Sequence, residues 1–204
     1  MTTTLTPIRS FVDGLCAIPE PEFSRERVLE EFGRIVLDPA SINPYLYFSP
    51  SHYTRNLVHY CDLFEVIAIC WEVGQASMIH NHREQECWMG APIGRLMIQN
   101  YRLDAQCRDT KTCQLTPTLR YTLDATHSAA VDPGEPIHSV NNLAEFGERA
   151  VSVHVYSKPF DSCEVYNLEK GIYYDIPLEY TSRYGELCAS SRDQRAVLMS
   201  NRAL

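Results

Sequence analysis

The sequence lacks any apolar run long enough to cross a bilayer, and its start, MTTTLTPIRSF, is polar. A membrane-spanning helix needs about 20 consecutive apolar residues. A secretory leader has a charged start followed by an apolar stretch, and this pattern is also missing. We therefore expect no membrane-spanning helix and no signal peptide, and we predict that the protein is cytoplasmic.

Positive charge is also scarce, because 18 lysines and arginines are outnumbered by 26 aspartates and glutamates, for a formal net charge of −8. There is no basic run and no stripe of alternating aromatic and basic residues, which are the features of nucleic-acid and anionic-membrane surfaces. The 8 cysteines include no CxxC pair. We therefore predict no nucleic-acid or membrane partner, mostly free thiols in a reducing compartment, and a monomer.

What the chain does contain is enough apolar sequence, 45% of 204 residues, for a domain with a sizeable core. The run SRERVLEEFGRIVL has apolar residues at helical spacing behind Ser24, a typical N-cap, and predicts a helix. Later runs are short, rich in β-branched and aromatic residues, and separated by Gly and Pro, which indicates strands. We predict a single domain, residues 1–204, with a helical cap (1–40) on an antiparallel β-barrel (45–180).

Three histidines are the clearest candidates for a metal site. His80 and His82 lie two residues apart in IHNH, and alternate residues of a strand point to the same side. His138 follows in IHSVN, far enough along the chain for the strands to fold back beside the first pair. We therefore predict that these three side chains bind one metal ion through their imidazole nitrogens. His127 is a weaker fourth candidate.

These histidines and their surroundings resemble the cupin superfamily. Its first motif, a glycine before H-x-H and a carboxylate, is matched by residues 74–86, and its second, a Pro-Gly turn before a histidine and an asparagine, by residues 133–142. The chain resembles the cysteine dioxygenase family still more, through HYTRNLV, CWEVGQASMIHNH, IHSVNN and SVHVYSKPFDSC, in that family's order. The resemblance implies a mainly β cupin fold, an antiparallel barrel or jelly roll, with the helical cap at its N-terminus.

The same resemblance implies a function, that of an iron(II)-dependent thiol dioxygenase, which adds both atoms of O2 to a small thiol to give a sulfinic acid. Arg55 and Tyr53 match the family's substrate-binding pair, and the planar fork of an arginine suits a carboxylate. L-Cysteine, giving cysteine sulfinate, is therefore the leading substrate. An alternative keeps the reaction but changes the thiol to a mercapto-carboxylate or a thiol-bearing imidazole, because GAPIG after Cys87 predicts a turn where the family continues a strand.

The resemblance further implies a proton-handling group and a covalent cross-link. Ser152, His154 and Tyr156 alternate along one side of the strand SVHVYS and match family residues that lie beside the iron. Cys87 matches the cysteine that this family can join to the tyrosine as a thioether. We therefore expect catalytic roles for all four residues.

Glu86 and Cys87 are neighbours, so a regular strand would point them to opposite sides. The parity that turns His80 and His82 inward would also turn Glu86 inward, and a bulge would reverse this; the family pattern favours Cys87 inward. If Glu86 were a metal ligand, the chain would be a different metallocupin, such as an isomerase or a dioxygenase of carbon substrates. A third alternative is a metal-free or zinc-holding binding cupin, because histidine sites favour zinc over ferrous iron.

Overall fold

The computed structural model describes residues 5–189 of the chain. The two ends of the predicted domain, residues 1–4 and 190–204, lie outside the described residues. The helices are α1 (Ile8–Cys16) and α2 (Arg25–Gly33), with short 3-10 helices at Glu20–Glu22, Pro39–Tyr45 and Ala144–Phe146. In the described part of the chain, no helix is both long and apolar enough to span a membrane.

The rest of the described chain is mostly β-structure. Its strands, in chain order, are β1 (Leu5–Thr6), β2 (Val36–Leu37), β3 (Thr54–Tyr60), β4 (Phe64–Trp71), β5 (Ile79–His80), β6 (Cys87–Ile93), β7 (Leu96–Cys107), β8 (Thr112–Leu123), β9 (Ser128–Ala130), β10 (Ile137–Asn141), β11 (Ala150–Ser157), β12 (Ser162–Asn167), β13 (Ile172–Pro177), β14 (Ser182–Arg183) and β15 (Glu186–Leu187). Six of them close an antiparallel barrel in the order β10-β5-β12-β13-β8-β7, and a seven-stranded sheet has the order β15-β14-β3-β4-β11-β6-β9. The predicted mainly β cupin fold with N-terminal helices is confirmed.

Helix α2 begins where the sequence predicts and ends earlier. The Ser24 side chain accepts a hydrogen bond from the backbone N–H of Arg27, as an N-cap does. The helix stops at Gly33, and residues 36 and 37 instead form β2, which pairs in parallel with β1. The helical spacing over these last residues was therefore misleading, because consecutive apolar residues suit a strand as well once a partner strand is present.

The run GAPIG is also different from the prediction. Strand β6 continues through GAPI and pairs with β11, with a register shift between Val151 and Val153. A register shift of this kind accommodates the proline of GAPI in the strand, because proline has no N–H to donate to the neighbouring strand. The turn starts only at Gly94, whose φ is 69° and where a Cβ atom would lie 2.5 Å from the carbonyl oxygen of Arg149.

The seven-stranded sheet is buried on both faces, and alternate residues divide between them. On β4, Val66 and Ala68 pack towards the helices, whereas Ile67, Ile69 and Trp71 pack towards the barrel. This period of two is that of a strand covered on both sides. Side chains at the odd-numbered positions of β4 and the even-numbered positions of β11 therefore lie between the two sheets.

Strands β7 and β8 form a long hairpin. Its inner half contributes Leu96, Ile98 and Leu123 to the core, while residues 102–112 are exposed. Cys107 lies in this exposed part, and hydrogen bonds from Thr110 lower the pKa of its thiol. Seven of the eight cysteines are free thiols in the structure, namely Cys16, Cys61, Cys70, Cys87, Cys107, Cys113 and Cys163.

Candidate metal centre

The structure brings the three predicted histidines together. His80 on β5 lies directly opposite His138 on β10 in the strand register, and His82 follows two residues later. The potential ligand nitrogens of the three rings all lie within 4.8 Å of one another. The predicted grouping is therefore confirmed, and it is fixed by the pairing of two barrel strands.

The nitrogens of these rings are suited to a metal ion. Both ring nitrogens of His82 and of His138 are buried and have no hydrogen-bond partner in the described residues, and buried polar atoms left without a partner are uncommon and costly. The Nδ1 atom of His80 lies 2.9 Å from the carbonyl oxygen of Met78. That contact places the ring proton on Nδ1 and leaves the Nε2 lone pair free, as in many metal sites.

Burial also keeps these imidazoles neutral. Desolvation lowers the pKa of His80 to about 4, and it lowers the pKa values of His82 and His138 well below their ordinary value. Metal ions bind the neutral form of histidine. The residues present therefore fit a metal ion, held by three uncharged ligands.

A second set of hydrogen bonds holds the backbone between His80 and His82. The Asn81 side-chain amide donates to the Glu164 carboxylate at 2.8 Å, and the Glu164 backbone N–H donates to the Asn81 amide oxygen at 3.1 Å. The Tyr166 hydroxyl donates to the same carboxylate at 3.0 Å. Asn81 thus points away from the histidines, as alternation predicts, and ties their loop to β12.

A tight turn before β6 determines which of Glu86 and Cys87 points to the inner side of the strand. Arg83 and Glu84 both have positive φ, 52° and 64°, and the Gln85 N–H donates to the carbonyl oxygen of His82 at 2.9 Å. Two left-handed residues reset the alternation, so parity counted from the histidines does not carry through to β6. Cys87 is fully buried on the inner side, as the family pattern indicated.

Glu86 lies on the other side of the strand. Its carboxylate pairs with the Arg25 guanidinium of α2 at 2.7 Å, and its backbone N–H donates to the Ser157 hydroxyl at 2.9 Å. Within residues 5–189, the only cluster of potential metal ligands consists of the three histidines. The alternative in which Glu86 is a metal ligand is therefore not supported.

Ser152, His154 and Tyr156 form a continuous hydrogen-bonded row on β11. The Trp71 indole N–H donates to Ser152 Oγ at 3.0 Å, Ser152 Oγ lies 2.8 Å from His154 Nε2, and His154 Nδ1 lies 3.1 Å from the Tyr156 oxygen. All three side chains are buried on the inner face. Their alternation along SVHVYS is therefore that of one strand face.

The polar atoms of the row can pass hydrogen bonds in one direction. An indole N–H can only donate, so Ser152 Oγ accepts from Trp71, and the Ser152 proton can be given to His154 Nε2. Burial lowers the pKa of His154 to about 3, so the ring is neutral and carries one proton. With Nε2 accepting from Ser152, that proton is on Nδ1 and points to the Tyr156 oxygen, which leaves the tyrosine's own proton available to another acceptor.

Cys87 lies next to the end of this row. It is directly opposite Tyr156 in the register of β6 and β11, and directly opposite residues of paired strands have Cβ atoms about 4.5–5.5 Å apart. The thiol sulfur also lies 3.9 Å from His154 Nδ1. Burial raises the pKa of both Cys87 and Tyr156, so both groups are protonated at neutral pH.

Arg55 and Tyr53, the predicted substrate-binding pair, line a cavity together with His80 and His82. The cavity has an empty volume of about 340 Å³ and is lined by Tyr53, Arg55, Met78, His80, His82, Tyr156, Phe160, Cys163, Val165, Ile176 and Leu178. The Tyr53 ring stacks on Trp71 with centroids 4.6 Å apart. Arg55 therefore lines the same cavity as two of the three candidate ligands.

His127, the weaker candidate, does not belong to this site. Its side chain is 70% exposed, and its Nδ1 lies 2.9 Å from an Asp124 carboxylate oxygen. Its neighbours in the structure are surface groups of the β8–β9 connection.

Two residues of the site were missed by sequence reasoning. Glu65 on β4 is fully buried, and the Tyr180 hydroxyl donates a hydrogen bond to its carboxylate. The Tyr180 ring centre lies 5.9 Å from the Arg55 guanidinium carbon. A carboxylate inside the apolar run LFEVIAICW was a usable signal for Glu65, because buried carboxylates are rare without a partner. Nothing near Tyr180 in the sequence indicates that it returns to the site.

The matching family model and two similar curated proteins share one description. A family model described as cysteine dioxygenase type I matches residues 27–169. Cysteine dioxygenase type 1 of Rattus norvegicus is 29% identical over 189 residues, which cover 90% of this chain and 92% of that protein. The Danio rerio protein of the same description is 30% identical over 140 residues, 68% of each chain. Among solved structures, a Klebsiella pneumoniae protein with a double-stranded β-helix domain is 18% identical with a TM-score of 0.44, over 58% of this chain and 82% of that one.

Proposed function

The chain belongs to the cysteine dioxygenase type I family, and from this premise we propose that it is an iron(II)-dependent thiol dioxygenase converting L-cysteine and O2 to cysteine sulfinate. The carrying observation is that Arg55 lines the same cavity as His80 and His82, two members of the neutral three-histidine cluster. Such a cavity offers a metal ion for a thiol and a guanidinium for a carboxylate. We also propose that the enzyme works as a cytoplasmic monomer and that residues 1–204 are its single domain.

His80, His82 and His138 would hold the metal. Since all three ligands are uncharged, a bound iron(II) ion would keep its full positive charge, which favours the thiolate form of a substrate and brings thiol and oxygen together. The protein's part is to fix the three nitrogens before the ion arrives. The pairing of β5 with β10 and the Asn81 hydrogen bonds to Glu164 support that role.

Arg55 would bind the substrate carboxylate. Burial alone lowers the pKa of Arg55, but its attraction to Tyr156, Tyr53 and other neighbours raises it overall, so the guanidinium is charged. A planar charged fork can bind a carboxylate through two hydrogen bonds. Tyr53, which lines the cavity beside Arg55, would also contact the carboxylate.

The Ser152–His154–Tyr156 row would orient the tyrosine hydroxyl. With the His154 proton on Nδ1, 3.1 Å from the Tyr156 oxygen, the phenol proton would be directed to a different acceptor, and Tyr156 would reach substrate in the cavity. A hydrogen bond from Tyr156 to the bound substrate or to oxygen would hold the reactants in place. We propose Tyr156 as a catalytic residue and Ser152 and His154 as the residues that position it.

We further propose that Cys87 and Tyr156 can be joined by a thioether. Forming that bond removes one hydrogen from the thiol and one from the phenol ring, and O2 is the oxidant that takes up the two electrons. Intact-mass measurement of protein exposed to iron and oxygen tests this directly. The mass should be lower by two hydrogens, a Cys87→Ala variant should show no deficit, and a deficit that persists in the variant would refute the assignment.

The first experiment on function is oxygen consumption by iron-loaded, zinc-free protein with L-cysteine, with the product identified by mass. Rapid uptake with a sulfinate product is the expected result. Consumption with another thiol but not with L-cysteine would keep the reaction and change the substrate. If no thiol supports oxygen consumption, a cupin that only binds a small molecule is the remaining interpretation.

A mercapto-carboxylate is the second candidate substrate, on one observation. The cavity lining in the described residues contains Arg55 for a carboxylate but no aspartate or glutamate for an α-ammonium group. Comparing kcat/KM for L-cysteine and 3-mercaptopropionate decides between the two substrates. The larger value identifies the thiol for which the cavity is built.

A further inference from the structure

Glu65 is an ionisable residue that the proposed function does not use. It lies at an odd-numbered position of β4, the side that faces the barrel, and it pairs in register with Tyr156 on β11. The residue has no solvent exposure, and its Oε1 atom has no hydrogen-bond partner in the described residues. A buried carboxylate oxygen with unused acceptor capacity is costly unless something requires it.

Arg55 is the nearby group that such a carboxylate would be expected to bind. The Nε atom of Arg55 is also buried and without a partner. The two charges influence each other, since Glu65 raises the pKa of Arg55 while Arg55 opposes the burial that raises the pKa of Glu65. No ion pair joins these two described residues, although buried opposite charges with free hydrogen-bonding capacity attract strongly.

Tyr180 is near both of these groups. Its hydroxyl donates to Glu65 Oε2, and its ring centre lies 5.9 Å from the Arg55 guanidinium carbon. The segment that carries Tyr180 is tied to β3, because the Thr181 N–H donates to the Arg55 carbonyl oxygen at 2.7 Å and the Ser182 hydroxyl to the Asn56 amide oxygen at 2.9 Å. These hydrogen bonds hold the segment that carries Tyr180 beside Arg55.

We propose that Glu65 competes with the substrate carboxylate for Arg55, and that the Tyr180 hydroxyl, by binding Glu65, leaves Arg55 free for the cavity. Tyr180 is then a positioning residue that determines specificity for thiols with a carboxylate. The proposal rests on the proposed function in one respect, that Arg55 is the group that binds the carboxylate.

Loss of the Tyr180 hydroxyl has a defined consequence on this basis. In a Tyr180→Phe variant the Glu65 carboxylate loses its donor, and Arg55 is the buried cation available to replace it. Arg183 lies 4.8 Å from the Tyr180 ring centre on the exposed side, where water already satisfies it and it gains less from the pairing. An arginine bound to Glu65 is less available to substrate, so binding of a carboxylate should weaken.

The test is anaerobic titration calorimetry on iron-loaded protein, with L-cysteine and with cysteamine, which has the same thiol and amine but no carboxylate. We expect Tyr180→Phe to weaken L-cysteine binding about tenfold, the loss of one charge-assisted interaction. Cysteamine binding should change by less than about twofold. Tyr184→Phe is the matched control, because Tyr184 lies on the same segment and is 61% exposed, and it should change neither affinity.

A second substitution separates competition from damage to the fold. In the double variant Tyr180→Phe/Glu65→Gln the competing charge is absent, so L-cysteine affinity should return to within about twofold of the wild-type value. Equal weakening of both thiols in Tyr180→Phe, or a double variant as weak as the single one, would overturn the proposal. Wild-type protein that binds L-cysteine no better than cysteamine would instead refute Arg55 as the carboxylate site, and with it the proposed substrate.

Discussion

The two sheets that meet at the site differ in how far the polar side chains they contribute are hydrogen-bonded within the protein. The barrel carries His80 and His138, whose group of rings has nitrogens without protein partners. The seven-stranded sheet carries Ser152, His154 and Tyr156, whose polar atoms already form a hydrogen-bonded row. The first group is complete only with a ligand, and the second is complete in itself. Metal binding and the orientation of Tyr156 are thus built on separate sheets.

The largest expected effect comes from removing a ligand on the barrel side. We expect His138→Ala to lose bound iron and to lower oxygen consumption by at least about 100-fold, more than the loss of a residue that only supports a ligand. Metal analysis of purified protein and the oxygen-uptake assay measure both. His127→Ala is the matched control and should change neither, and full iron content in His138→Ala would break the comparison.

A smaller effect is expected from Tyr156, at the cavity end of the row. Tyr156→Phe keeps the ring and removes the hydroxyl, so kcat should fall about 10- to 100-fold, as for one lost hydrogen bond in the reacting complex. Iron content should stay at the wild-type level because no ligand is altered. A loss of iron that parallels the loss of kcat would mean that the roles of the two sheets, metal binding and orientation of Tyr156, are not separate.

Ser152→Ala tests the difference between the two sheets through the stability of the metal-free protein. It removes the acceptor of the Trp71 N–H and the hydrogen-bond partner of His154 Nε2, and leaves both buried nitrogens unpaired. The free energy of unfolding should fall by about 1–3 kcal/mol, measured by denaturant titration of metal-free protein. Removing a barrel histidine should cost less in the same titration, since His138 makes no hydrogen bond in the described residues; the reverse order would contradict the assignment.

The smallest effect is expected outside both groups. Glu86→Ala breaks an ion pair in which the Glu86 side chain is 35% exposed and the Arg25 side chain is 23% exposed. The free energy of unfolding should therefore change by no more than about 1 kcal/mol. Iron content should be unchanged. A variant that loses iron would return Glu86 to the set of metal ligands.

Much of the site could be predicted from the sequence because its residues lie in short motifs. His80 and His82 are two residues apart, and the members of the Ser152–His154–Tyr156 row are separated by the same step, so strand alternation alone places each set on one side. Their relation to His138 rested only on a chain separation long enough for the strands to fold back, which the family resemblance then supported, since pairing between distant strands leaves no local mark in the sequence.

What could not be predicted depends on backbone conformation or on long-range return of the chain. The left-handed pair Arg83 and Glu84 reverses the alternation, and neither residue type signals positive φ. Glu65 and Tyr180 are far apart in the chain and meet only because the segment after β13 pairs back onto β3. The early end of α2 has the same origin, a strand pairing between residues that are distant in sequence.

The long β7–β8 hairpin gives the protein a natural attachment point. Cys107 and Cys16 are its exposed cysteines; partial burial raises the pKa of Cys16, whereas hydrogen bonds from Thr110 lower that of Cys107. Thiol reagents react with the thiolate, so a maleimide dye or a tethering group should couple first at Cys107. The enzyme could in this way be labelled or immobilised on a sensor surface through a residue that does not line the cavity.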